Sequence, residues 1–245
     1  SMWKGVNNQS EFAERFVRPR HDFGYSRTAH AGGWAGEIGG ITWRDTAPAW
    51  YADRVGPLTL DDELSASGRV VVKSAFSDSA VSFGWFEAAT NRAGSSGGRY
   101  TKRSRLCICI EGPSRIGHYF RPEYVTAEGE GLLRPDGPVI QPDGMPHRWA
   151  LHYDPKGAGG RGRITFSLDD RQQTFDLEAR HRRQGARFDR FGILQSQPAD
   201  GHCVELYLDD LTYTASPASL GAFYWSRLQS PGRWQSSADD LGSQQ

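Results

Sequence analysis

The sequence predicts an all-β protein, a two-sheet antiparallel β-sandwich with long N-terminal loops. Three observations carry this expectation. Apolar residues recur with period two in several short runs, the pattern of half-buried strands. The 245 residues include 29 Gly and 13 Pro, enough turn formers to join many short strands. Helical periodicity is nearly absent, and only residues 8–16 (NQSEFAERF) read as a short helix. No internal repeat points to a propeller or solenoid. A sandwich of this length is expected to fold as one domain, here residues 1–215, followed by a polar tail over 216–245 that is partly packed through Phe223, Tyr224 and Trp225 or flexible.

The elements follow in order. Residues 69–76 (RVVVKSAF) and 80–88 (AVSFGWFEA) flank the turn-like Ser77-Asp78-Ser79 and read as a hairpin. A Gly/Ser loop covers 94–98, LCICIE at 106–111 is a strand, and 118–127 is another in which Pro122 marks an edge or bend. Trp149, Leu151 and Tyr153 alternate with Ala150, His152 and Asp154. DPKGAGGRG then supplies a turn, and Ile164, Phe166 and Leu168 resume the alternation. The last strand holds Val204, Leu206, Leu208 and Leu211, interrupted by Asp209 and Asp210. In a regular strand one of these two carboxylates faces inward, which requires a cation or an arginine such as Arg187 or Arg190.

The succession of Trp-x-Leu-x-Tyr-Asp-Pro at 149–155, a Gly-rich turn, a strand, GARFDRFGI at 185–193 and a terminal DDLTYT at 209–214 resembles the C-terminal half of concanavalin A-like lectin and glucanase jelly rolls. The likeness is clearest over residues 67–214. It implies a carbohydrate-active protein with an oligosaccharide or polysaccharide partner, foremost a glycoside hydrolase using paired carboxylates in a concave cleft. It also admits a non-catalytic, lectin-like binding domain, a polysaccharide lyase using His and Tyr with Arg, and a laminin-G-like interaction module. The Glu-x-Asp-x-x-Glu strand of one major retaining glucanase group is absent, and so are the motifs of the alginate-lyase relatives. No cofactor is required for such chemistry. A structural Ca²⁺ held through Asp209 and Asp210 is implied by families of similar fold.

Formal net charge is zero, so no global field draws nucleic acid or an anionic membrane. Basic residues are nearly all arginine, a bias that a GC-rich genome explains and that an acidic glycan would also use. Cys107 and Cys109 point the same way from one strand and cannot bridge each other; with Cys203 they read as buried free thiols. No apolar run approaches the ~20 residues that span a bilayer. The carbohydrate reading carries the expectation of an extracellular or periplasmic address. Oligomeric state is not legible.

Function-grade side chains concentrate in residues 18–54. This window holds His21, Tyr25, His30, Trp34, Glu37, Arg44, Asp45, Trp50, Tyr51 and Asp53, threaded by glycines. Glu37, on a probable strand between glycines, is the first candidate catalytic carboxylate, with Glu87 and the possible base His118 beside it. Glu87 shares a strand face with Trp85; for Glu87 and for Glu111 the alternative is a solvated rim residue or an arginine partner. Trp34, Trp50 and Trp85 are candidate sugar platforms with Tyr51 and Tyr119, and Arg44 is a candidate hydroxyl or carboxylate ligand. Trp85 has the core as its alternative role.

Overall fold

The computed structural model describes residues 21–44, 49–76, 78–88, 104–112, 117–127, 129–132, 137–195, 202–216 and 234–236. The expected helix at 8–16, the Gly/Ser loop at 94–98, Ser77, Asp45 and the aromatic residues 223–225 lie outside them.

Two antiparallel sheets enclose one apolar layer, the architecture predicted from the sequence. The first sheet has seven strands in the order β1 (Asp22–Ser26), β2 (Glu37–Trp43), β14 (Cys203–Tyr213), β4 (Leu64–Ala75), β10 (His147–Asp154), β11 (Arg163–Leu168) and β12 (Arg171–Asp176). The second has eight. Its order is β15 (Trp234–Ser236), β3 (Ala49–Thr59), β13 (Arg187–Gln195), β5 (Ala80–Phe86), β6 (Arg105–Glu111), β7 (His118–Val125) and β8 (Glu130–Leu132), with β9 (Val139–Ile140) also paired to β7. Residues 234–236, part of the tail in the sequence reading, therefore add an edge strand on β3.

Alternation sets the core. Trp149, Leu151 and Tyr153 of β10 and Ile164, Phe166 and Leu168 of β11 face Val81, Phe83 and Trp85 of β5 and Leu106, Ile108 and Ile110 of β6. Phe83 meets Trp149 across the layer edge-on, with ring centroids 4.9 Å apart. Each such side chain contributes about 1.5–3 kcal/mol through burial. The turn between β10 and β11 runs through Ala158, Gly159, Gly160 and Gly162, all at positive φ, which is why this stretch is glycine-rich.

Three sequence expectations are corrected. The strands on either side of Ser77-Asp78-Ser79 do not form a hairpin: β4 pairs with β10 and β14, whereas β5 pairs with β13 and β6. Both strands bury an apolar face in the same core from opposite sides, a pattern indistinguishable in sequence from two strands side by side. Second, neither Asp209 nor Asp210 is forced inward. The β14–β4 register shifts between Asp209 and Thr212, and Asp210 adopts φ 52, so a bulge breaks the alternation. Third, the partner of this pair is Arg69, whose Nε lies 3.0 Å from Asp210 Oδ2, rather than Arg187 or Arg190. Pro122 lies inside β7 opposite Ile108. On its other side β9 pairs only at His118 and Tyr119, and β8 begins at Glu123, so Pro122 falls in a gap where its missing N–H withdraws nothing from the ladder.

Candidate functional site

The residues on the core side of β5, β6 and β7 are apolar, so their odd partners look outward. On β6 these are Arg105, Cys107, Cys109 and Glu111, and on β7 Tyr119, Arg121 and Glu123. Register makes them neighbours: Cys107 is opposite Glu123, Cys109 opposite Arg121, and Glu111 opposite Tyr119. On β5, Ser82 and Gly84 pair with Cys109 and Cys107. Across β13 and β3 the same rows continue through Leu194 to Trp50, and through Gly192 to Ala52.

An outward face is ordinarily solvated; this one is buried and polar. Arg105 is 4% exposed, Arg190 4%, Glu123 6% and Arg121 7%, and Ser82, Cys107 and Cys109 are buried with them. Glu123 Oε1 accepts from Ser82 Oγ at 2.6 Å and from Arg105 Nε at 3.0 Å, while Oε2 accepts from Arg105 Nη2 at 3.3 Å. Arg121 donates to Glu111 Oε2 and lies over the Tyr119 ring, 5.2 Å from its centroid. Arg190 pairs with Asp189 Oδ2 at 3.1 Å and covers the Trp50 ring at 5.4 Å. Burial alone would lower the Arg105 pKa, but the Glu123 charge and hydrogen bonds outweigh it and hold the guanidinium cationic. Burial and the Glu123 charge push both Cys107 and Cys109 well above the ordinary thiol range.

The network is not closed. Arg105 Nη1, Arg121 Nε and Arg190 Nε are buried without a hydrogen-bond acceptor among the described residues. An unmet buried donor costs about 1–3 kcal/mol, more when charged, so three on one face call for acceptors from outside the described residues. Each guanidinium already has a carboxylate partner, so the face demands acceptor oxygens rather than net negative charge.

The sequence candidates distribute as follows. Trp50 and Tyr119 lie on this face, on strands four positions apart, but Trp50 is only 2% exposed and packs with Ala52, Phe86, Ala88 and Leu194 under Arg190, so it is a buried ring rather than the open platform expected from the sequence. Glu111 takes its expected alternative as an arginine partner. Glu87 follows the end of β5, where its backbone N–H donates to Ser104, and is half-buried. His118 begins β7 at the opposite end of these strands, so Glu87 and His118 stand roughly 25 Å apart along the strand direction. His118 has the core-side parity of Phe120 and Tyr124, the reverse of Tyr119, and its Nε2 contacts Ser79 Oγ at 3.0 Å and the Phe76 carbonyl at 3.2 Å. Trp85 is core, with its indole N–H on the Thr214 carbonyl. Tyr51 packs partly into the core, and Arg44 Nη1 donates to the Asp78 carbonyl.

Glu37 is on the other sheet. Its Oε1 accepts from Thr28 Oγ1 (2.6 Å) and from His30 N (2.8 Å), and its Oε2 from Ala31 N (2.7 Å), so both oxygens serve the turn at 28–31. The structure does not bring Glu37, Glu87 and His118 together. Arg69 pairs with Asp210, and among the described residues no group of three or more His, Cys, Asp or Glu side chains converges to hold a metal, so the pair Asp209 and Asp210 does not fit a calcium centre.

No protein-family model matches the chain, and no curated protein matches it in sequence. Solved structures do. The chain is similar to the carbohydrate recognition domain of Emp47p (TM-score 0.44, 12% identity, covering 78% of this chain and 88% of that one). It is similar to the alginate lyase PA1167 from Pseudomonas aeruginosa (0.41, 9%, covering 81% and 88%). It is also similar to the exoplasmic/lumenal domain of VIP36 in its Ca²⁺/Man3GlcNAc-bound form (0.41, 12%, covering 80% and 86%).

Proposed function

We propose that the protein recognises a glycan on the outer face of the eight-stranded sheet, through Arg105, Arg121 and Arg190, with the Tyr119 ring beside Arg121. The observation that carries this reading is the set of three buried guanidinium donors on one face that find no acceptor among the described residues. Sugar hydroxyls and ring oxygens supply acceptors without adding charge, which suits a face where each arginine is already paired. A neutral or weakly acidic glycan is therefore favoured over a polyuronate. Lyase chemistry draws no support here, since His118 and Tyr119 project to opposite sides of β7.

Glycan hydrolysis is the second reading, and one observation favours it: Glu111 and Glu123 share this face from neighbouring strands. Under that reading they replace Glu37 and Glu87 as the carboxylate pair. The test is a polysaccharide and oligosaccharide panel scored for retention on affinity gels, for new reducing ends and for unsaturated uronates, with wild-type, Arg105→Lys and Glu123→Gln proteins. Retention lost in Arg105→Lys supports the recognition reading. Reducing ends that disappear in Glu123→Gln establish hydrolysis, and unsaturated product overturns both.

A further inference from the structure

The seven-stranded sheet carries a second surface that the arginine face does not involve. The segment 27–36 crosses the outer side of β2, β14 and β4 and is anchored at every few residues. Glu37 binds Thr28, His30 N and Ala31 N, and Gly36 N donates to the Thr28 carbonyl. Ala31 is buried against Val71 and Tyr207. The His30 ring lies 4.6 Å from the Tyr207 ring, and its Nε2 is 3.3 Å from Lys73 Nζ. Gly32 is pressed onto Asp209, where any Cβ would collide with the carboxylate.

This rigid support ends in an unsupported indole. Trp34 is 88% exposed, although tryptophan has the largest apolar surface of any side chain. Tyr25, 49% exposed, reaches toward the same loop, with its hydroxyl 3.1 Å from where a Cβ on Gly36 would lie. The other exposed large apolar residues among the described ones, Phe76 and Met145, are not on this loop. An indole and one phenol fall far short of the ~800 Å² per partner that a stable protein interface buries. They match the area of one or two sugar rings. The electron-rich indole face attracts the slightly positive C–H edges of a pyranose, and an indole held by Glu37 loses little freedom on binding.

We propose that the 27–36 loop is a second glycan-contact site, with Trp34 stacking on a pyranose and Glu37 as the positioning residue that holds the loop. A chain that grips one polymer on both sheets gains avidity from the second contact, or links two chains.

The test uses protein carrying 5-fluorotryptophan, with the Trp34 resonance assigned through Trp34→Phe, titrated with cellohexaose, mannohexaose and hexamannuronate. The expected result is a saturable shift of the Trp34 signal with at least one hexasaccharide in the wild-type protein. Trp34→Ala should weaken retention on the matching polysaccharide by about fivefold to tenfold. Glu37→Gln should broaden or move the Trp34 signal before sugar is added while leaving those of Trp85 and Trp149 in place. A Trp34 signal unmoved by all three sugars overturns the proposal, whether or not the arginine face binds. So does a shift produced only by phosphatidylglycerol vesicles, or a Trp34 signal indifferent to Glu37→Gln.

Discussion

Removing the Glu123 carboxylate separates a buried ionic network from a solvated one. Glu123 is the acceptor for Ser82 and for two nitrogens of Arg105, and the two charged side chains are 8% and 4% exposed. Glu123→Ala leaves a guanidinium buried without its counterion, which costs about 3–5 kcal/mol. For a domain of this size each kcal/mol moves the midpoint by about 2–4 °C, so thermal unfolding should begin roughly 6–20 °C lower. Replacing both partners, as Arg105→Met with Glu123→Leu, removes the charge along with its partner and should recover most of that loss. Circular dichroism melts and urea titrations of the two single variants and the double variant read this directly. Glycan retention should weaken in the double variant even though stability returns, because the Arg105 donors are gone while those of Arg121 and Arg190 remain. A Glu123→Ala protein within about 0.5 kcal/mol of wild type would refute the reasoning, since surface substitutions behave that way.

Further predictions follow from other sites. Gly39→Ala should destabilise by about 1–3 kcal/mol because its Cβ would collide with the Leu206 carbonyl oxygen in β14, whereas Gly33→Ala, with no neighbouring atom within 4 Å, should be near neutral in the same urea titrations. Burial holds the His118 pKa below its ordinary 6.5, so its contribution is complete above that pH and is lost as pH falls through the lowered value. His118→Gln should therefore flatten the pH dependence of unfolding free energy between about pH 5 and 7, and an unchanged slope would contradict the assignment. Cys107 and Cys109, fully buried with raised pKa values, should react slowly with a thiol reagent in the native protein and readily on unfolding; native labelling as fast as that of the unfolded protein would contradict their burial.

What the sequence revealed and what it hid divide on physical lines. Period two reported the core side of each strand, because Trp149, Leu151 and Tyr153 have no other reason to alternate, and it placed Cys107 and Cys109 on a shared face. It did not distinguish a turn within a sheet from a crossing between sheets at 77–79, since both leave the same apolar pattern. The arginine face was hidden for a related reason. Polar residues opposite a core face are the normal outward half of a strand, so Arg105, Arg121 and Glu123 looked ordinary until their burial was known. Their only signal was charge embedded at alternate positions of two strands later found adjacent, in RLCICIE and HYFRPEYV. Glu37 stood out because glycines flank it, and those glycines have structural work: a Cβ on Gly39 would strike the backbone of β14, and Gly36 sits at φ 119. Trp50 and Trp34 both stood out as candidate platforms in Gly- and Pro-rich contexts, which did not show that one is buried on the eight-stranded sheet and the other exposed on the seven-stranded one.

The central claim is that the three buried guanidinium groups hold a glycan. Affinity electrophoresis against the polysaccharides retained by the wild-type protein, using Arg105→Lys, Arg121→Lys and Arg190→Lys variants shown to be folded, tests it most directly. Lysine keeps the charge and discards the planar fork, so each variant should weaken retention by about tenfold, the equivalent of one charge-assisted hydrogen bond. Unchanged retention in all three folded variants would contradict the account.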